Sequence, residues 1–257
     1  MKLRNMKSLS KIWYPKLPSG SFNKLDTLII EECHRLENAL DGIFGSLCNL
    51  RITNCRSMQA IFNILDQVGD VVNNLQDVHL ETLPKLKLVW KMNYKDGVGI
   101  PKFKNLKKIW AQDCDNLKYI FPFFVAKSLH NLEFLVVCDC YGLSEIVAER
   151  EVTNTDEVNF NFPKLSIVKF SELPKLTSFC PTAYTLSCPL KELSIELCYN
   201  LEPFNNKTDH VHECFPQKVL VLSPSTLQQH FLIHAKLNRN QNENIFFHFY
   251  LNLCTFI

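Results

Sequence analysis

Two thiols two residues apart, Cys138 and Cys140 in "LVVCDCYGL", are the first residues here whose type and spacing suggest chemistry. Paired thiolates bind metals or cycle between dithiol and disulfide. "HVHEC" (His210–Cys214) adds two imidazoles and a thiol. A zinc site there lacks a fourth ligand, since no second Cys/His pair has finger-like spacing. His230 and His234 lie four apart, but "FLI" between them lacks the glutamate of a zinc-protease helix. No histidine base is pinned beside Cys48, Cys138 or Cys180, so none reads as an activated nucleophile. "DGVGI" (Asp96–Ile100) lacks the Gly-x-x-x-x-Gly-Lys-Ser/Thr spacing that cradles phosphate. The lysines of "PKFKNLKK" read as a solvated face, and Asn206-Lys207-Thr208 matches a glycosylation sequon that is irrelevant in the cytosol. No catalytic, cofactor-binding or metal-ligating residue is assigned, and no cofactor is expected.

Composition points the same way. Of 257 residues 46% are apolar, enough to build a core. With 28 basic and 26 acidic side chains the chain has no overall footprint for nucleic acid. The N-terminal stretch has lysines throughout and no apolar signal segment, so the eleven cysteines are expected to be reduced and the compartment intracellular. The longest apolar run, "IFFHFYLNLCTFI", has thirteen residues where a bilayer span needs about 20.

The elements that must position any site emerge from a repeat. Counting from one leucine, apolar residues or Cys return at offsets 3, 5, 8 and 11. Leu25, Leu28, Ile30, Cys33 and Leu36 form the first complete unit; the others start at Leu47, Leu75, Leu106, Leu132, Leu165 and Leu190. Met58 and Ala111 are the weakest fits, and Leu3, Met6 and Leu9 continue the register backwards at offsets 5, 8 and 11. Offsets 3 and 5 alternate like one face of a short strand, while offset 8 lies past it, where a compact side chain must turn inward. Five of seven units place Cys there, and a reduced thiol is such a compact hydrophobe. Cys140 is therefore scaffold, and Cys138 should face the opposite way. Unit starts are separated by 22, 28, 31, 26, 33 and 25 residues, so loops of unequal length are expected behind the strands. This is a leucine-rich repeat: an α/β solenoid, curved, with a parallel sheet on the concave face and irregular loops and short helices on the convex face. It is expected to span residues 1–204. Residues 205–257 form a divergent tail, partly disordered or holding a strand at "KVLVL" and a helix from Ser225 to about Leu237.

The outward strand positions, offsets 2, 4 and 6, are polar toward the chain ends. In three successive units they are Trp110, Phe134, Val136, Cys138 and Ile167, expected to form one apolar patch ringed by Lys108, Lys169, Asp77 and Glu81. Contiguous exposed apolar surface of this kind marks a protein partner's site.

Units such as "FKNLKKIWAQDCDNLKYIF", "HNLEFLVVCDCYGLSEIV" and "FPKLSIVKFSELPKLTSF" resemble the repeat region of plant coiled-coil-type nucleotide-binding disease-resistance proteins. The resemblance implies a cytoplasmic, non-enzymatic recognition module that binds pathogen effectors, host proteins or the receptor's own nucleotide-binding domain. Without a P-loop, the chain is expected to be similar to a C-terminal piece of such a receptor or a truncated relative. The repeat alone also fits the substrate-binding domain of a ubiquitin-ligase adaptor. A thiol or metal enzyme is the reading from another class.

Overall fold

The computed structural model describes residues 1–12, 24–41, 45–64, 74–92, 102–148, 158–180, 184–201 and 219–222. One strand per unit builds a nine-stranded parallel sheet: β1 (Lys2–Arg4), β2 (Thr27–Glu31), β4 (Asn49–Thr53), β6 (Asp77–Glu81), β8 (Lys108–Gln112), β9 (Phe134–Cys138), β11 (Ile167–Ser171), β13 (Glu192–Glu196) and β14 (Val219–Leu222). Each strand pairs offset to offset with the next, as in Leu28 with Leu50 and Leu50 with Val78. The fold is a leucine-rich repeat solenoid. β14 adds a ninth strand from within the stretch assigned to the tail; the expected helix at 225–237 lies outside the described residues.

The repeat's offsets now have physical roles. Offsets 3 and 5 point into the core, where Leu28, Ile30, Ile52, Leu80 and Ala111 are fully buried. At offset 7 the backbone takes a left-handed conformation in every unit: Glu32, Asn54, Thr82, Asp113, Asp139, Glu172 and Leu197 have φ between 52° and 55°. Asn5, at the same place in the incomplete unit, has φ 51°. L-residues adopt this region at a cost that is smallest for Asn and Asp. It is held because the offset-7 N–H continues the ladder, as from Asn54 to the Glu81 carbonyl at 2.9 Å and from Asp139 to that of Ser171 at 3.0 Å. The reversal then swings offset 8 under the sheet. There the cysteine Sγ donates to the carbonyl at offset 6 of its own unit, at 3.4 Å for Cys33 and 3.2 Å for Cys140. A turn closes the motif: the offset-11 N–H bonds the offset-8 carbonyl, as from Leu143 to Cys140 at 3.0 Å. This turn sets the spacing between offsets 8 and 11.

Behind the main sheet a second tier begins after offset 11. Three units place short strands there, β3 (Asn38–Asp41), β5 (Ala60–Ile64) and β7 (Leu88–Met92), paired in that order. Later units continue it through the isolated bridges Phe121–Val147 and Glu145–Ser178, and β10 (Val158–Asn161) pairs with β12 (Tyr184–Ser187). The expected helices are few: among the described residues only α1 (Phe123–Ala126) is helical. Large rings fill this tier. Phe62 stacks on Trp90 at 4.6 Å, Trp90 meets Phe103 at 4.2 Å, and the Trp90 Nε1 donates to the Ile120 carbonyl at 3.0 Å. Backbone groups between tiers are tied across repeats by polar side chains, such as Asn131 Nδ2 to the Lys104 carbonyl at 2.8 Å.

Both weak fits to the repeat are core: Met58 and Ala111 are 0% exposed. Met6, at offset 8 of the incomplete unit, is instead 45% exposed.

Two substitutions probe this frame. An alanine Cβ at Gly142 would sit 2.1 Å from the Asp115 carbonyl of the preceding unit. Gly142→Ala is therefore expected to cost about 1–3 kcal/mol by forcing two turns apart, read as a lower urea midpoint. Leu197 has φ 53° without a side chain suited to it. Leu197→Asn should gain about 0.5 kcal/mol in the same measurement, and a loss would show that packing of Leu197 outweighs backbone conformation.

Candidate functional site

Parallel pairing lines up the outward residues in rows across the sheet. At offset 2, Asp77, Lys108, Phe134 and Ile167 are consecutive neighbours; at offset 4 the row runs His79, Trp110, Val136, Lys169. The expected patch is therefore assembled on adjacent strands β8, β9 and β11.

Its exposure differs from expectation in one respect. Trp110, Phe134 and Ile167 are half-buried, with one side open. Val136 and Cys138 are buried, at 8% and 5% exposure, so the expected outward contact by Cys138 is corrected. Both lie on the central strand of the patch, where Val136 stands in register between Trp110 and Lys169, and Cys138 between Gln112 and Ser171. They form the floor, and the three larger residues form the surface.

The charged rim is placed as follows. The Lys108 ammonium lies 5.1 Å from the Phe134 ring centre, a cation–π contact. Lys169 Nζ is 2.9 Å from Glu192 Oε1. Glu81 accepts from His79 Nε2 at 3.1 Å and lies 3.7 Å from the Arg51 guanidinium. Asp77 stands between Asn49 and Lys108 in the offset-2 row.

Sequence reasoning passed over two features. His79 stacks on Trp110 with ring centres 5.7 Å apart and planes 15° apart, extending the aromatic surface to β6. Burial lowers its pKa, against the opposing hydrogen bond to Glu81. The second is the left-handed row itself, which puts Asp113, Asp139 and Glu172 side by side at one edge of the patch. Asp113 accepts from the Thr82 hydroxyl at 3.4 Å, Asp139 from Gln112 Nε2 at 3.4 Å, and Glu172 from the Tyr141 hydroxyl at 3.2 Å. Burial, then the charges of Glu172 and Asp113, push Asp139 up to about 6. Burial likewise raises Asp113. Asn or Asp recurring at offset 7 was the available signal.

The scaffold thiols are chemically quiet. Burial pushes Cys55 and Cys198 up to about 11, and Cys140 is raised by its hydrogen bond with Cys114 and by burial. Burial disfavours the thiolate form in Cys55 and Cys198. Cys48 is also raised, mainly by its hydrogen bond to Asp26. Among the described residues no three His, Cys, Asp or Glu side chains gather into a metal set. The His210–Cys214 and His230–His234 groups lie outside the described residues.

The repeat has counterparts among known proteins. Residues 1–141 match the family described as plant disease resistance protein RPS2-like, leucine-rich repeats. The chain belongs to this family. It is also 28% identical over 134 residues to "Probable disease resistance protein At4g27220" of Arabidopsis thaliana. That alignment covers 52% of this chain and 14% of the relative, so the chain corresponds to a small part of that protein's length. No solved structure matches the chain. This is a plant disease-resistance repeat domain, and among its described residues no helix is long and apolar enough to cross a membrane.

The raised Asp139 carries a pH-dependent prediction. Its folded pKa of about 6 lies above the unfolded carboxyl value, so the folded state holds its proton more tightly. Its ionisation therefore opposes folding fully above pH 6, and the penalty fades as pH falls toward 4. Asp139→Asn is expected to stabilise the protein at pH 7.5 by about 1 kcal/mol or less, allowing for solvent screening, with the gain shrinking toward pH 4. A gain independent of pH would assign the effect to backbone conformation alone.

Proposed function

We propose that this chain is the protein-recognition part of a plant intracellular immune receptor, acting in the cytoplasm without catalysis. Its partner is a pathogen effector, a host protein or the receptor's own nucleotide-binding switch domain. It binds through the open face of the main sheet, at Trp110, Phe134 and Ile167 above the floor of Val136 and Cys138. One observation carries this reading: three large apolar side chains on neighbouring strands, in register and open on one side, within a sheet whose other outward residues are mainly polar.

An aromatic anchor on a rigid strand loses little entropy on binding, and Trp is the residue most favoured at energetic centres of interfaces. Lys108 lies over the Phe134 ring, and Lys169, paired with Glu192, adds charge beside the strip. Family membership supports a defence role, and the buried, protonated thiols support a binding role over catalysis.

The test uses the chain as bait for the nucleotide-binding switch domain of a receptor of this family and for effectors that such receptors detect. Trp110→Ala and Phe134→Ala are each expected to weaken capture about tenfold or more while leaving the melting transition cooperative. Unchanged capture by folded variants would refute the assignment of this face.

A further inference from the structure

The cations and anions around the strip are not equivalently placed. Every basic side chain on the patch has an internal partner: Lys169 with Glu192 at 2.9 Å, Lys108 over the Phe134 ring at 5.1 Å, Arg51 with Glu81 at 3.7 Å. The carboxylates at the strand ends have neutral partners instead. Asp113, Asp139 and Glu172 follow one another on neighbouring units, and they accept hydrogen bonds from the neutral Thr82, Gln112 and Tyr141. Among the described residues no Lys, Arg or His lies within ion-pair distance of these three. Strands about 4.8 Å apart hold such like charges close together along one edge.

Offset 4 and offset 7 are three residues apart, so the anionic edge stands roughly 10 Å from the Trp110 row along the strand direction. One extended segment can cover both. We propose that this face binds an extended segment of a partner protein carrying apolar and basic residues in close succession, its apolar side chains on Trp110, Phe134 and Ile167 and its Lys or Arg groups on Asp113, Asp139 and Glu172. The inference rests on the recognition role of the open face and adds the chemistry of the partner. An incoming cation relieves the repulsion among three carboxylates and forms charge-assisted hydrogen bonds with them. An acidic segment meets uncompensated negative charge at that edge, which selects against it.

The experiment compares two short labelled peptides of one pattern, one alternating Arg and Leu, the other Glu and Leu, by fluorescence anisotropy against the 257-residue chain. The Arg/Leu peptide is expected to bind at least about tenfold more tightly at low salt, with the preference narrowing at high salt. The combined substitution Asp113→Asn, Asp139→Asn, Glu172→Gln should abolish that preference, and Trp110→Ala should weaken both peptides. Should the combined variant fail to fold, Asp139→Asn alone is expected to reduce the preference. Equal binding of the two peptides, binding of neither, or a preference that survives in a folded carboxylate variant overturns the proposal. If the preference is absent while Trp110→Ala still abolishes capture of a protein partner, the charge inference falls and the recognition role stands. Affinity of both peptides left unchanged by Trp110→Ala overturns the apolar strip as the seat of the segment.

Discussion

Each unit has to leave the sheet at the same point and in the same direction, or the next unit cannot stack on it. The left-handed residue at offset 7 meets that demand. Its N–H completes one more rung of the ladder to the following strand, and its φ turns the chain so that offset 8 drops beneath the sheet. The carbonyl just before it is then approached from two sides, as Cys138 shows: its oxygen accepts from the Asp113 N–H at 3.3 Å and the Cys140 thiol at 3.2 Å. A cysteine at offset 8 thus fills a small space and satisfies a second lone pair on a buried carbonyl. Leucine at the same offset, in Leu83 and Leu173, fills the space without the second bond. From Glu32 to Glu172 the left-handed strain is tolerated because the ladder on one side and the buried side chain at offset 8 on the other hold each residue in place.

Unequal repeat length is absorbed away from this constraint. Between units the spacing varies from 22 to 33 residues, yet every strand keeps offset-to-offset pairing. The variation falls between one unit's turn and the next unit's strand, and among the described residues behind the sheet large rings pack together. Trp90 touches both Phe62 and Phe103, and Phe160 stacks on Phe162. Rings suit that task because they cover large areas with few rotatable bonds. Strand and turn are held by strict geometry, the second tier by volume.

The same division explains how much of the fold and the face was legible in the sequence. Offsets 3, 5, 8 and 11 are set by burial and backbone reversal, both of which restrict residue type, so the sheet and its register could be read directly. The outward rows were legible as positions, but their exposure was not. Whether Val136 is open depends on Trp110 and Lys169, residues 26 and 33 places away in the chain. Strand propensity says nothing about such neighbours. The same holds for Met6, whose place at offset 8 was legible while its 45% exposure was not. The second-tier strands were hidden because they are short and follow a turn, where apolar pairs such as Ile61–Phe62 or Val89–Trp90 lack alternation. The carboxylate row was visible as letters, but offset 7 tolerates several polar residues, and only the stacked sheet places three acids together.

A consequence for recognition follows from the separation of duties along one unit. The residues that hold the repeat point inward or lie in the turn, whereas the face residues at offsets 2 and 4 make few demands on the core. A side chain can change from Arg51 to His79 to Trp110 to Val136 along a single row while the backbone beneath stays in register. Side-chain chemistry can therefore vary across the face at little cost to stability. The exception is offset 7, where one residue serves both functions. Asp113, Asp139 and Glu172 each carry the left-handed turn and present a carboxylate to the open face, so charge at that edge is tied to the geometry of the fold. A basic partner docked there would touch the element on which stacking depends. Its binding energy would then act on the repeat array itself, coupling recognition at the face to the stability of the units beneath it.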